Sequence, residues 1–317
     1  MAAALALAVR GRGRTGANPN VGCLLVREGL VVGRGWTADG GRPHAEAMAL
    51  AAAGDAARGA TLYTTLEPCA HQSRRGPPCA DSLLAAGIGR AVVAMEDLDP
   101  RTSGRGIERL RDGGVAVCVG VGEVAAKEEL AGFSGRLMAG RAELTLKLAL
   151  SLDGRLAMAD GASQWITGEV ARTFVHRLRA EADMVLVGGG TFRADSPRLD
   201  QRLPGNDAPQ PLRAVLTAGE VPEGYRAFRS VAELDRFAAA GGVNRILCEG
   251  GGGLASSLVA AGRVDRLLLL RAPILIGHGR GLEALCPKSL AECHGRWRLE
   301  ERRRLGDDVL EVYRGSS

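Results

Sequence analysis

The chain has 317 residues, 46% of them hydrophobic and 24% charged, with a formal charge of +5; this is enough for about two domains with separate cores and excludes a disordered or fibrous chain. No apolar run reaches the ~18 residues of a membrane span, and in "MAAALALAVRGRG" the arginines follow the apolar stretch, against the order of a secretory signal, so a cytoplasmic protein without a membrane partner is expected. Aromatic residues make up 3% and the basic residues are scattered, which argues against a nucleic-acid partner; with arginine supplying nearly all the positive charge beside Lys127, Lys147 and Lys288, a phosphorylated small molecule fits better.

Along the chain, "VGCLLV" and "LVVGRG" read as strands around an Arg-Glu-Gly turn. The stretch "GRPHAEAMAL" (41 to 50) then leads from a loop into an alanine-rich helix, with Pro43 suited to its start. Inside a helix, His44 and Glu46 would point to nearly opposite sides; in the first turn they can converge on something beyond the open end of the axis. A solvated helix end has the same appearance. A strand at 61 to 66 follows, then a second helix entrance at 79 to 86 behind Pro77 and Pro78, and a strand at 90 to 95. A helix-like "GRGIERLRDGG" and a strand-like "VAVCVG" complete a three-layer α/β domain with a mixed sheet. Polar, helix-prone residues 122 to 141 lead out of it, which sets domains at 1 to 141 and 142 to 317.

Seven cysteines, an odd number, point to a reducing compartment rather than a disulfide framework. Cys23, Cys118, Cys248, Cys286 and Cys293 lie in or beside apolar, strand-like stretches and are expected to be buried, inert thiols. Cys69 ends a β-like run, and Cys79 opens a helix, where the macrodipole and a nearby divalent ion favour a thiolate. With His44 they make one nitrogen and two sulfur ligands, a set suited to zinc, and three protein ligands leave a fourth position for water, as catalytic zinc sites do. Glu46, beside the metal without ligating it, can shuttle protons from that water. A structural zinc knuckle is the alternative, with His71 as the nearby residue able to close it.

In the second half, Lys147, Ala149, Ser151 and Asp153 would share one face of a strand, and Leu146, Leu148, Leu150 and Leu152 the other. A lysine there binds phosphate, assists proton transfer, or is simply an exposed edge residue. "DMVLVGGGTF" and "RILCEGGGGLASSLVAAG" each run strand, glycines, helix. Gly250 to Gly253 let backbone approach a ligand and open a helix toward a pyrophosphate, or form a plain loop; neither stretch is G-x-G-x-x-G, so no Rossmann fold is inferred.

The pattern His44-Ala45-Glu46, Pro68-Cys69 and Pro78-Cys79 is the signature of zinc-dependent nucleobase deaminases. With "NPNVGC" (18 to 23), "PHAE", "LEPCAH" and "PPC" it resembles the deaminase half of the bifunctional riboflavin-biosynthesis deaminase/reductase family. Residues 142 to 317 resemble that family's reductase half, a dihydrofolate-reductase-like α/β domain using NADPH. The resemblance implies hydrolytic deamination of 2,5-diamino-6-(5-phosphoribosylamino)pyrimidin-4(3H)-one at zinc, then NADPH-dependent reduction of ribosyl to ribityl, in a homo-oligomer dimerising through the reductase domain. It implies that Asn20, which by itself reads equally as turn chemistry, and His71 contact the pyrimidine substrate. It implies further that Ala149, Trp165, Thr191, Asp195, Gly251, Gly252, Gly253, Leu254, Ala255, Ser256 and Ser257 line the cofactor, although Trp165 would also serve as core. Ser163, Arg179, Leu199, Arg202 and Glu249 would contact substrate, the two guanidiniums suiting its phosphate, and Lys147 and Asp195 would assist protonation. The chain departs from the family in two places. Nine residues separate Cys69 from Cys79 where eight are usual, the extra one near 73 to 76, and the 217 to 244 segment is short, with Thr217-Ala218 where a serine is common, which leaves NADPH against NADH preference open. Rival readings are a cytidine or guanine deaminase fused to an unrelated domain, a zinc-stabilised module binding nucleotides or RNA, and a chain whose reductase half has lapsed.

Overall fold

In the computed structural model, which describes residues 1–73, 75–282, 285, 287 and 289–315, the chain divides into two units, Met1–Arg141 and Ala142–Ser317. Unit 1 begins with α1 (Ala2–Ala8) and the hairpin of β1 (Gly22–Arg27) and β2 (Leu30–Trp36), whose turn places Glu28 and Gly29 at positive φ. Then come α2 (Ala45–Ala53), β3 (Thr61–Thr64), α3 (Cys79–Ala85), β4 (Arg90–Val93), α4 (Arg105–Asp112) and β5 (Ala116–Val119). The sheet runs β2-β1-β3-β4-β5. β1 is antiparallel to both neighbours, whereas β3, β4 and β5 are parallel because α3 and α4 carry the chain back between them. Leu25, Leu62, Leu83, Leu110 and Leu130 fill the core. The helix-prone 122 to 141 stretch forms two helices, α5 (Glu123–Glu129) and α6 (Ala131–Ala139), separated at Leu130, which turns its side chain into that core.

Missing side chains set how closely helices lie on this sheet. A Cβ on Gly22 would stand 1.9 Å from the Ala4 carbonyl oxygen, and one on Gly35 2.0 Å from that of Ala45. Gly35→Ala is therefore expected to push α2 off β2 and to cost about 1–3 kcal/mol of stability, an overpacking penalty readable from thermal unfolding.

Unit 2 is built on an eight-stranded sheet. Its elements are β6 (Glu143–Leu150), β7 (Ala157–Met158), α7 (Glu169–Ala180), β8 (Met184–Gly188), α8 (Gly189–Asp195), β9 (Leu212–Leu216) and β10 (Arg226–Phe228). They continue with α9 (Val231–Gly241), β11 (Arg245–Cys248), α10 (Gly252–Ala260), β12 (Arg266–Arg271), β13 (Gly279–Arg280), β14 (Trp297–Leu305) and β15 (Asp308–Gly315). The order is β10-β9-β8-β11-β6-β12-β15-β14, parallel up to β12 and antiparallel in the last two pairings. Leu144, Leu146, Leu148 and Leu150 alternate into the core, with Lys147 and Ala149 on the other face. That alternation stops two residues short of the expected Asp153, for Ser151 is buried and Leu152 is 56% exposed. The reason is a turn: the Ser151 hydroxyl accepts from Arg155 N at 2.8 Å and donates to Asp153 at 2.6 Å. Asp153 in turn accepts from the main-chain N–H of Ile276 and Gly277, so it anchors a loop rather than facing a cleft.

Cys23 and Cys248 are buried as expected, but Cys118 is half-buried and Cys293 exposed, the latter in a 3-10 turn instead of a strand; Cys286 lies outside the described residues. Among the described residues no helix is long and apolar enough to cross a membrane.

Candidate active sites

Two helix entrances and one loop meet in unit 1. His44 is the residue preceding α2, in extended conformation, and Glu46 sits in the first turn, 4% exposed. Cys79 is the first residue of α3, behind Pro78, and Cys69 lies in the loop after β3. His44 Nδ1 is 3.3 Å from Cys79 Sγ and 3.6 Å from Cys69 Sγ, and the three donor atoms all lie within 4.8 Å of one another. One imidazole nitrogen and two sulfurs at that spacing fit zinc and leave a tetrahedron open. Among the described residues His71 is not part of that donor cluster; its Nδ1 hydrogen-bonds Thr102 Oγ1 at 3.1 Å.

The main-chain N–H of Cys79, at the start of α3, points not at its own sulfur but at Cys69 Sγ, 3.3 Å away. Hydrogen bonds from the Cys79 thiol and His44, together with that N–H, hold the Cys69 thiol below its ordinary value. Burial raises the Glu46 carboxyl against the opposing pull of His44.

A recess of about 40 Å³ beside the ligands is lined by Pro19, Val21, Thr37, Glu46, Glu67 and Asp97. Burial pushes the Asp97 carboxyl to about 6. A wider cavity of about 380 Å³ reaches His44 and Cys79 and carries Arg42, Arg75 and Ser82. Arg75 belongs to the lengthened Cys69 to Cys79 interval, where Ser73 and Gly76 pair in a small bend; Arg74 lies outside the described residues. Arg42 and Glu67 each stand two residues before a ligand and Arg75 four before Cys79, but no spacing in the sequence marks their side chains as facing these cavities. The Asn20 amide is buried and its Nδ2 donates to Ala8 O at 3.1 Å and Glu129 at 2.5 Å, so a substrate contact there would fall to its Oδ1.

In unit 2 the residues of interest gather beyond the carboxyl ends of β6, β8 and β11, where open parallel sheets bind ligands. Glu249 takes a two-pronged pairing from Arg179, at 2.6 and 3.0 Å, and Lys147 Nζ stands 3.9 Å away. Burial would raise Glu249, but Arg179 and Lys147 bring its pKa below the ordinary value; Lys147 is lowered by its own burial. Arg179 also donates to Asp200 O and is committed to the protein, whereas Arg202, 54% exposed, pairs with the Asp200 carboxylate at 3.4 Å. Thr191 Oγ1 accepts from Gly251 N at 3.1 Å, tying the two glycine turns together. Gly252 lies so close to Gly281 that a Cβ would stand 2.2 Å from its carbonyl oxygen, while Gly253 is open.

Several expected ligand contacts face elsewhere. Ala255 and Ser256 are buried, Ala255 in the core under α10, and the Leu199 side chain packs with Val185, Val187 and Val215, leaving only its main chain for a ligand. Leu254 packs against that core and Ser257 bonds Gly253 O. Trp165 is not core: it is 68% exposed under the Arg172 guanidinium. Ser163 sits half-buried in the same loop, Ala149 is half-buried on β6, and Asp195 is exposed at the end of α8.

Residues 1–95 match the cytidine and deoxycytidylate deaminase zinc-binding region, and residues 142–310 match the RibD C-terminal domain. The chain is 37% identical to riboflavin biosynthesis protein RibD of Escherichia coli, over 98% of this chain and 96% of that one. It is also 37% identical to RibD of Aquifex aeolicus, with 99% and 97% covered. A solved structure of Acinetobacter baumannii RibD superposes with a TM-score of 0.91 at 33% identity, covering 100% and 98% of the two chains. The Thermotoga maritima diaminohydroxyphosphoribosylaminopyrimidine deaminase/5-amino-6-(5-phosphoribosylamino)uracil reductase gives 0.90 at 29%, with 100% and 97% covered. Fold and site together define a two-part α/β enzyme, a cytidine-deaminase-like zinc-binding unit followed by a reductase unit. The chain belongs to the RibD family of riboflavin-biosynthesis proteins.

Proposed function

We propose that unit 1 deaminates 2,5-diamino-6-(5-phosphoribosylamino)pyrimidin-4(3H)-one and that unit 2 reduces the ribosyl side chain of the product to ribityl with NADPH. The observation that carries the reading is the meeting of His44, Cys69 and Cys79 beside a buried carboxylate, Glu46, that is not among the ligand group. Zinc held by those three supplies a Lewis acid that makes water nucleophilic near neutral pH. Glu46 takes a proton from the attacking water and delivers it to the ring nitrogen as the C–O bond forms, then carries the new hydroxyl's proton to the amine, so that the carbonyl forms, the C–N bond breaks and ammonia departs. Arg42 and Arg75 place guanidinium groups in the adjoining cavity, which suits a phosphorylated substrate.

In unit 2, NADPH supplies the hydride for C1′ of the opened ribose. The turns at Gly189 and Gly251 to Gly253, joined through Thr191, offer main chain for close approach to the cofactor's phosphates. Lys147, kept in a buried pair with Glu249, is placed to hold the proton that the nitrogen attached to C1′ takes up as hydride adds to the carbon. Arg202 is the better cation for the substrate phosphate, since Arg179 is engaged by Glu249. The free thiol ligands fit a reducing, cytoplasmic setting. Exposed Leu152, Ile274 and Leu275 support dimerisation through unit 2, which sedimentation would check.

The purified protein should release ammonia from the diamino substrate and oxidise NADPH only when the deaminated intermediate is supplied. Ammonia without NADPH oxidation on that intermediate would instead favour a deaminase joined to a lapsed or unrelated second half.

A further inference from the structure

Glu67 has no part in the chemistry just described, yet it is 3% exposed in the wall of the recess that holds Glu46. Its carboxylate accepts four main-chain N–H groups from a segment thirty to forty residues away: Asp97 N at 3.1 Å and Gly104 N at 2.9 Å on Oε2, and Gly106 N at 2.8 Å and Ile107 N at 3.1 Å on Oε1. Gly104, Gly106 and Ile107 are the entrance of α4. The residue preceding that helix is Gly104, which has no side chain with which to satisfy the first free N–H groups, so a glutamate from another element does so.

The same entrance leans directly on the loop that carries Cys69. A Cβ on Gly106 would stand 2.0 Å from the Pro68 carbonyl oxygen. Within the held segment Asp97 lines the recess, and the buried Thr102 bonds Nδ1 of His71, on the loop that carries Cys69, at 3.1 Å. Asp97 also accepts from Asp99 N at 2.9 Å, which fixes its carboxylate within the turn. One buried carboxylate therefore fastens both ends of the turn to the residue next but one to a metal ligand.

We propose that Glu67 is a positioning residue for deamination: by gathering the N–H groups of Asp97, Gly104, Gly106 and Ile107, it sets Asp97 in the wall of the recess and Thr102 on His71, against the metal-ligand loop. The proposal rests on the deaminase reading of unit 1. Glutamine at 67 keeps the shape but offers a single acceptor oxygen and turns an NH₂ toward converging donors, so that the Oε1 and Oε2 halves of the clamp cannot both persist.

The test uses full-length protein, with reduction by unit 2 as an internal standard for folded enzyme. Glu67→Gln should retain zinc and reductase activity while KM for deamination rises by roughly 10-fold or more, the scale of losing a charge-assisted contact to the wall. A merely structural role would instead lower the active fraction, so that apparent kcat falls at unchanged KM. Gly106→Ala, which leaves Glu67 intact and forces α4 from Pro68, should reproduce the KM rise, and Thr102→Val, which removes only the bond to His71, should show part of it. Unchanged KM in folded, zinc-loaded Glu67→Gln overturns the proposal; should that variant not accumulate, unchanged KM in both Gly106→Ala and Thr102→Val overturns it equally. A wild-type protein that releases no ammonia defeats the deaminase reading itself, whereas an active wild type with unaffected variants defeats only the role of Glu67.

Discussion

Glutamine in place of Glu46 is expected to slow deamination by about 10²–10⁴-fold, the contribution of a well-placed general acid–base, with zinc content and reduction by unit 2 unchanged. The selectivity of that loss follows from geometry. Glu46 lies in the first turn of α2, two residues from His44, and is buried, so the amide fits the same space and keeps the carboxylate's place beside Cys79. What it cannot do is accept a proton from water and release it to the departing amine. Ammonia release and metal content, measured on one preparation, separate this outcome from loss of the site. Undiminished ammonia release with zinc bound would remove Glu46 from the mechanism and favour a zinc-stabilised binding module.

The second large effect is expected in unit 2. Arg179→Ala would leave Glu249, 10% exposed, with Lys147 at 3.9 Å and the field of His176 in place of a bonded guanidinium. Removing one partner of a buried pair costs about 3–5 kcal/mol, which for a domain of this size is a fall of roughly 6–20 °C in Tm. The pH dependence has a definite sign. The Glu249 carboxyl is held below its ordinary value in the folded protein, so the pair stabilises above the unfolded carboxylate range and that stability is lost as pH falls through the lowered pKa. Without Arg179 the folded-state pKa rises, and acid unfolding of unit 2 should begin at higher pH. Differential scanning calorimetry across acidic pH reads both effects, and a variant with wild-type Tm would show that Glu249 is satisfied without Arg179.

Part of this was legible in the sequence because the elements signal locally. Strand-like runs, prolines before two helices and the strand-glycine-helix stretches gave the α/β class, and the H-x-E and second P-C motifs fall at helix entrances while the first P-C motif lies in the loop after β3. The alternation beyond Leu150 misled because Ser151 and Asp153 prefer hydrogen bonds in a turn to a continued strand. Ala255 and Ser256 could not be assigned a side from a motif, since the rotation of α10 decides which residues of a glycine-led helix meet the core. Arg179 and Glu249 were each read as facing substrate, and no local pattern reveals that they neutralise one another. Asn20 and Glu67 are similar cases, their partners lying 109 and up to 40 positions away.

The contact of Gly35 with Ala45 bears on how unit 1 tolerates change. Main chain meets main chain there, immediately beside His44, so the metal-binding end of α2 is registered by rigid atoms and not by the sizes of neighbouring apolar groups. Exchanges of volume at Leu25, Leu62 or Leu83 should accordingly weaken the fold well before they displace the ligands, which makes metal affinity a quantity buffered against drift in the interior.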